Sequence, residues 1–155
     1  MARFETQERC PMLRLRREWR MGRGDVEPGM AIRLLLVDDD AGFRKTLREL
    51  LERRAHVQVL GEAGNGEEAV RLSDDLKPDV VLMDLAMPRM NGLEATRQLK
   101  ARRPDLAVII LTVHDEDVYR RTALAAGATA FLQKKTLGVD LWPTLVRILD
   151  LEVGQ

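Results

Sequence analysis

The sequence predicts an α/β fold in which helices cover both faces of a five-stranded parallel sheet, and two observations support this prediction. From residue 30 onward, short apolar runs alternate with helix-length amphipathic stretches, which is the pattern of parallel strands joined by crossover helices. Three of the runs are almost continuously apolar, as is typical of strands buried on both faces.

Five segments are predicted to be strands, and right-handed crossovers would bring all their carboxyl ends to one edge of the sheet. The first run is interrupted only by Arg33, and the second and fifth are the weaker candidates. In chain order the strands are Ile32–Val37, Val57–Leu60, Val80–Met83, Ala107–Leu111 and Ala128–Leu132.

Five helices are predicted from apolar residues at helical spacing. The first covers Ala41–Arg54 with Asp40 as its cap, and the last two cover Val118–Ala126 and Leu141–Leu149. Asp140 is expected to cap the last helix, which would place Pro143 in the first turn, where no intrahelical donor is lost. The apolar stripes of the first three helices are Phe43, Leu47, Leu50 and Leu51, then Ala69, Leu72 and Leu76, then Leu93, Thr96, Leu99 and the stem of Lys100.

Length and composition limit the classes of protein to consider. The 155 residues allow one domain with a short extension, and 45% hydrophobic content is enough for a buried core. The 25 basic and 25 acidic residues cancel, so no global field favours nucleic acid. A single cysteine, Cys10, and the lack of an apolar run of about 18–20 residues lead us to expect a cytoplasmic protein with no membrane partner.

Residues 1–29 lack a clean period, so the domain boundary is placed at Met30 and the domain is predicted to span residues 30–155. The leader has seven arginines and five acidic residues. We interpret it as a disordered extension or as sequence upstream of a natural start at Met30, with a basic arm that touches a partner as the alternative.

Polar side chains stand where four of the predicted strands end. The first strand is followed by Asp38, Asp39 and Asp40, and the others end in Asp84, Thr112 and Lys134. Clustered carboxylates favour a compensating cation, and ligands that are all oxygen favour Mg²⁺. Such a site suits phosphoryl transfer, with Asp84 as the acceptor and with Thr112 and Lys134 contacting phosphoryl oxygens.

Structural roles compete with this interpretation. An aspartate at a strand end is more often a helix cap or a turn former, and Asp40 fits that role because it directly precedes a helix. Thr112 alone could also cap a helix, and Lys134 alone could be solvated. Their common position at one sheet edge favours a functional site, since independent caps would not require a threonine and a lysine there.

The motifs LLLVDDD (34–40), VVLMDLAMPRMNGLEA (80–95), VIILTVHDED (108–117) and AAGATAFLQKK (125–135) occur in this order. From Met30 to about Leu149 the chain resembles a two-component response-regulator receiver domain. The resemblance implies a flavodoxin-like doubly wound (βα)5 sheet of strand order 2-1-3-4-5. It also implies a phosphorelay protein with no enzymatic activity beyond its own phosphorylation and dephosphorylation.

The resemblance assigns roles residue by residue. Asp84 would accept a phosphoryl group from a sensor histidine kinase or a phosphotransfer protein. Asp39, Asp84 and the backbone carbonyl of Ala86 would bind Mg²⁺, with Asp38 holding a metal-bound water. Thr112 and Phe131 match the switch pair, although plain core packing is the alternative for Phe131. The first helix would contact the kinase through Phe43, Arg44, Leu47 and Arg48.

Two departures from the family pattern affect the expected output. Lys135 stands where the family often has a cis proline, so we expect a trans bond. The chain is most like receivers joined to helix-turn-helix output domains, yet only Asp150–Gln155 follow the last helix. We therefore expect an unknown output protein and no direct binding of nucleic acid, and a phosphorylation-dependent homodimer is left open.

His114 and Ala86, each two residues beyond a site residue, are predicted to tune the lifetime of the phosphorylated state. Three other functions are compatible with parts of the pattern. A receiver fragment of a DNA-binding regulator is the main alternative. An aspartate-nucleophile phosphatase would need a second aspartate where Ala86 stands, and a receiver that no longer takes phosphate would be expected to lack one of the site residues.

Overall fold

The computed structural model describes residues 31–114 and 116–149, so the predictions for residues 1–29 and for the end of the chain lie outside it. Five strands form one parallel sheet of order β2-β1-β3-β4-β5, which confirms the predicted fold. The strands are β1 (Ile32–Val37), β2 (Val57–Ala63), β3 (Val80–Asp84), β4 (Ala107–Thr112) and β5 (Ala130–Gln133). The helices are α1 (Ala41–Glu52), α2 (Gly66–Leu76), α3 (Gly92–Arg102), α4 (Asp117–Ala125) and α5 (Leu137–Ile148), and a 3₁₀ turn (Lys134–Thr136) joins β5 to α5.

The apolar runs are buried in two layers, one on each face of the sheet. Alternate strand residues pack on the two sides because successive side chains of a strand point to opposite faces. On one side β1 presents Leu34 and Leu36 to α1 and α5, whose contributions include Leu47 and Leu145. On the other side lie the stripes of α2, α3 and α4, which include Ala69, Val70, Ala95, Leu99 and Ala123. Strand β3 is buried at all five positions, as its continuous apolar run predicts.

The strand register aligns the carboxyl ends. Val37 of β1 pairs with Met83 of β3, so the next residue in each chain segment is an aspartate, Asp38 or Asp84. Thr112, the last residue of β4, pairs with Gln133 of β5, directly before Lys134. The polar residues that the sequence places at four strand ends are therefore brought to one edge.

Helix starts agree with the sequence in one case and differ in another. Asp40 caps α1 by accepting hydrogen bonds from the backbone N–H groups of Gly42 and Phe43, as predicted. The prediction that Asp140 caps the last helix is wrong, because α5 begins at Leu137 and Pro143 lies inside it. Burial of Leu137 together with Leu141 one turn later explains the early start, since the apolar stripe begins ahead of the proline.

The other differences are small. β2 runs on to Ala63 instead of ending at Leu60, and β5 begins at Ala130 instead of Ala128. All peptide bonds of the described residues are trans, so the expectation for Lys135 is confirmed. No helix among these residues combines the length and the apolar character needed to cross a membrane.

Candidate functional site

The site lies at the carboxyl edge of the sheet and its side chains differ sharply in exposure. Asp38, Asp84 and Thr112 are 2%, 6% and 1% exposed, respectively, because neighbouring strands and loops enclose them. Asp39, the residue after Asp38, is exposed. The edge therefore combines two buried carboxylates with one that faces solvent.

Lys134 joins the two buried carboxylates. Its Nζ lies 2.6 Å from Asp38 Oδ2 and 3.3 Å from Asp84 Oδ1. Lys134 is the first residue of the 3₁₀ turn, and its side chain reaches Asp38, the residue that follows β1. The ammonium also lies 4.2 Å from the centre of the Phe43 ring, on the first turn of α1, within the range of a cation–π contact.

Burial and charge shift the protonation of this cluster. The pKa of Asp84 is raised from 3.8 to about 6, chiefly by burial and next by the negative charge of Asp38, while Lys134 opposes both effects. Burial alone would lower the pKa of Lys134, but its contacts with Asp38 and Asp84 outweigh that effect and raise it. At pH 7.5 the acceptor candidate is thus mostly a carboxylate beside a charged ammonium.

Three carboxylates form a candidate cation site. Ligand oxygens of Asp38, Asp39 and Asp84 all lie within 4.8 Å of one another. The set contains no nitrogen or sulfur donor, so its chemistry fits a hard ion such as Mg²⁺. Asp38 is already engaged through both oxygens, with Oδ1 accepting from the Asp40 N–H at 2.8 Å and Oδ2 facing Lys134. Within residues 31–114 and 116–149, no donor bonds the carboxylate of Asp39.

The loop after Asp84 is held close to the backbone of that residue. The Leu85 N–H donates to the Leu111 carbonyl at 3.1 Å, and the Gly92 N–H donates to the Leu85 carbonyl at 2.9 Å. A Cβ at Gly92 would lie 2.2 Å from the Asp84 carbonyl oxygen, so only glycine fits there. Ala86 is exposed between these anchor points.

Thr112 and Phe131 occupy neighbouring strands. The Thr112 hydroxyl accepts a hydrogen bond from the His114 N–H at 3.0 Å, and no acceptor takes its proton within the described part of the chain. Phe131 is only 4% exposed and lies under the guanidinium of Arg120, 5.2 Å from the ring centre. The His114 ring stacks on the Tyr119 ring with 4.8 Å between their centres, so His114 packs against α4 beside the site.

Four residues of α1 are predicted from the sequence to contact the kinase, and these residues differ in burial and in their contacts. Leu47 is 2% exposed, so it packs in the core and cannot contribute to a surface. The Phe43 ring contacts the Lys134 ammonium, and Arg44 donates a hydrogen bond to the Asp38 carbonyl. Arg48 is half-buried.

Sequence reasoning missed Arg44 and Glu62 as parts of the site. Arg44 Nε donates to Glu62 Oε1 at 3.0 Å, and Arg44 Nη1 donates to the carbonyl oxygen of Asp38. The predicted β2 ended at Leu60, which left Glu62 in a loop. A strand extended to Ala63 would have placed this glutamate near the same edge as the aspartates.

Comparisons with known proteins agree with this fold. A family model described as the response regulator receiver domain matches residues 34–142. The transcriptional regulatory protein YdfI of Bacillus subtilis is 42% identical over 113 residues, which is 73% of this chain and 53% of that protein. The chain thus spans about half the length of this curated relative.

Two solved structures are similar in fold. A two-component response regulator of the LuxR family from Aurantimonas superposes with a TM-score of 0.74 at 34% identity, over 77% of this chain and 86% of that chain. The response regulator domain of Thermotoga maritima CheB superposes with a TM-score of 0.73 at 29% identity, over 79% and 98% of the two chains.

Proposed function

The chain belongs to the response regulator receiver domain family, and we propose that it accepts a phosphoryl group on Asp84 within a two-component phosphorelay. The donor would be the phosphohistidine of a sensor histidine kinase or a phosphotransfer protein, in the cytoplasm. The observation that carries the proposal is the convergence of Asp84 with Lys134 and two further carboxylates at one edge.

The chemistry is a single displacement at phosphorus. A carboxylate oxygen of Asp84 attacks, the bond between phosphorus and the histidine nitrogen breaks, and the nitrogen keeps the electron pair. The product is an acyl phosphate on the aspartate. A pKa of about 6 for Asp84 leaves its carboxylate ionised at the pH of the cytoplasm, as a nucleophile must be.

The same residues supply the electrostatic support. We propose that Asp39, Asp84 and the Ala86 carbonyl would hold Mg²⁺, with Asp38 holding a metal-bound water, and that the bound ion would neutralise charge on the phosphoryl oxygens. Lys134, now between Asp38 and Asp84, is placed to pair with one phosphoryl oxygen. The unused proton of the Thr112 hydroxyl is available to another.

We further propose that Thr112 and Phe131 convert phosphorylation into a change of surface. Movement of the hydroxyl toward the phosphoryl group would break its bond with the His114 N–H and disturb the segment that leads into α4. Exposed apolar residues already lie there, with Val113 at 76% and Val118 at 63% exposed. The output would be contact with another protein, or with a second copy of this chain, through that region.

Intact mass measurement tests the acceptor. The full chain is incubated with Mg²⁺ and acetyl phosphate, and a gain of one phosphoryl group is expected in wild type and not in Asp84→Asn. Asp40→Asn is the matched control, because asparagine keeps the α1 cap and the acceptor is untouched. A gain that persists in Asp84→Asn would overturn the assignment.

A second candidate function is the receiver part of a DNA-binding transcription regulator. The observation that favours it is the coverage of about half of a relative named as a transcriptional regulatory protein. The isolated chain is expected to leave DNA mobility unchanged in an electrophoretic shift assay, and a shift would favour direct binding. A phosphatase of the aspartate-nucleophile type has less support, because Ala86 offers no general acid.

His114 and Ala86 are proposed to set the lifetime of the acyl phosphate. Ala86 is exposed and His114 is partly exposed beside Asp84 and Thr112, where side-chain size governs the approach of water. Substitution at either position is expected to change the dephosphorylation rate of the purified, phosphorylated chain. Unchanged rates in His114→Ala and Ala86→Asn would remove both residues from this role.

A further inference from the structure

Arg44 links three elements of the acidic edge from a mostly enclosed position. Its backbone lies in α1, its Nε bonds Glu62 Oε1 at 3.0 Å on β2, and its Nη1 donates to the carbonyl oxygen of Asp38 beyond β1. The side chain is 20% exposed. Arg44 is therefore committed to contacts within the domain and not to solvent.

The carbonyl that Arg44 binds belongs to the peptide unit that carries Asp39. A peptide unit is planar and includes the Cα of the next residue. Fixing the direction of the Asp38 carbonyl therefore also fixes the position of the Asp39 N–H and Cα. The remaining groups of Asp38 are held as well. Its N–H donates to the Ala63 carbonyl at 3.0 Å, and its carboxylate is held by the Asp40 N–H and by Lys134.

Asp39 itself has no such support. Its carboxylate is exposed and no donor among the described residues bonds it. The direction in which it points thus depends on its two peptide units. The bond from the Asp40 N–H to Asp38 Oδ1 orients the following unit, and the Arg44 bond orients the preceding one.

We propose that Arg44 is a positioning residue for Mg²⁺, which it serves by orienting the Asp38–Asp39 peptide while Glu62 holds its guanidinium and offsets its charge. Glu62 has a second partner, since Arg48 Nη2 lies 2.9 Å from Glu62 Oε2. This inference rests on the proposed function, because it presumes that the acidic edge binds the ion.

The charge of Arg44 and its positioning role predict opposite changes in Mg²⁺ affinity when Arg44 is removed. As a nearby cation, Arg44 repels Mg²⁺, so its removal would tighten binding if charge alone mattered. As a positioning residue it supports a ligand, so its removal should weaken binding, as loss of an outer contact to a metal ligand commonly does. The sign of the change therefore separates the two roles.

The experiment is calorimetric titration of the full chain with Mg²⁺ alone. Arg44→Gln is expected to weaken binding about tenfold. Arg48→Gln removes the same charge from the same glutamate without touching the Asp38 carbonyl, and its affinity should match wild type or exceed it. Arg44→Lys keeps the charge but cannot bridge Glu62 and Asp38 with one planar fork, so it should also bind more weakly.

Affinity in both Arg44 variants equal to or tighter than wild type would overturn the proposal. An equal loss of Mg²⁺ affinity in Arg48→Gln would also overturn it, since the loss would then come from the charge balance around Glu62. A wild-type chain that takes up no Mg²⁺ would instead contradict the proposed function itself. The amide signal of Asp39 in the metal-free chain gives a second readout, expected to move in Arg44→Gln and to stay in Arg48→Gln.

Discussion

Lys134 Nζ lies 2.6 Å from Asp38 Oδ2, nearer than its 3.3 Å separation from Oδ1 of Asp84, the proposed acceptor. The ammonium thus has Asp38 as its main partner before any phosphoryl group arrives. Asp84 consequently receives only part of the stabilisation that a lysine could give its charged form. Burial, the largest cause, and the charge of Asp38 therefore outweigh the Lys134 contact and keep the pKa of Asp84 raised beside a cation.

The first prediction concerns the protonation of Asp84. Burial raises its pKa, and the charge of Asp38 is the next contributor, ahead of that of Asp39. Asp38→Asn removes this repulsion and frees Lys134 to turn toward the acceptor, so the pKa of Asp84 should fall. Carbon NMR titration of the Asp84 carboxyl in metal-free buffer would measure it. Asp39→Asn should lower the pKa less, and a larger fall there would contradict the ranking.

The second prediction is a pH-dependent gain in stability for Asp84→Asn. The folded chain binds the Asp84 proton more tightly than the unfolded chain, because burial and the nearby carboxylates, opposed by Lys134, raise the pKa from 3.8 to about 6. Protonation therefore stabilises the wild-type fold below about pH 4, and this contribution is lost as the pH rises through about 6. Asparagine avoids the buried charge, so the variant should be more stable at pH 8 by on the order of 1 kcal/mol.

Urea unfolding with a metal chelator present would test this. The advantage of Asp84→Asn should shrink between pH 6 and pH 4 and vanish below that range. Asp75→Asn, at an exposed position of α2, should show no such window. A variant that is less stable than wild type at pH 8 would show that the Lys134 contact outweighs the cost of burial.

The third prediction concerns the contact between Phe43 and Lys134. The ammonium lies 4.2 Å from the ring centre, and a partly buried cation–π contact contributes about 0.5–2 kcal/mol. A double-mutant cycle with Phe43→Leu and Lys134→Met should give a favourable coupling energy in that range. Leucine keeps most of the apolar volume, so the coupling would report the ring and not only the packing. Additive effects would leave Phe43 with a packing role alone.

The site residues that sequence predicted are those fixed by strand ends. The apolar runs of β1 and β3 are unambiguous. In a parallel pair, the last residues of the two strands lie at nearly the same height along the sheet edge. Asp38 and Asp84 follow directly from that constraint, and Lys134 follows from the end of β5. Nothing more than the run boundaries and the handedness of crossovers was needed to place these side chains together.

The Arg44–Glu62 contact could not be predicted in this way. Pairing between β1 and β2 shifts register between Leu34 and Leu35, so β2 carries an irregularity where its predicted span stopped. The alternation that marks a strand is lost there, and Glu62 falls beyond it. Which arginine of α1 reaches that glutamate then depends on how the helix rotates on the sheet, and spacing alone does not give that rotation.

The last prediction compares two Gly→Ala substitutions of opposite expected sign. A Cβ at Gly92 would meet the Asp84 carbonyl oxygen at 2.2 Å and the Leu85 Cα at 3.0 Å. Both are backbone atoms of Asp84 and the residue after it. The added methyl group must therefore shift the backbone that holds Asp84 in place. Gly92→Ala should lose about 1–3 kcal/mol of unfolding free energy and should take up phosphoryl groups from acetyl phosphate more slowly.

Gly138 provides the matched control, because a Cβ there meets nothing within 4 Å. Gly138 lies inside α5, so alanine should gain about 0.5–1 kcal/mol through lower flexibility of the unfolded chain. Its rate of phosphoryl uptake should match wild type, since the added Cβ contacts no residue of the site. If Gly92→Ala retained both stability and uptake, the close passage of the loop beneath Asp84 would not be needed to hold the carboxylate in place.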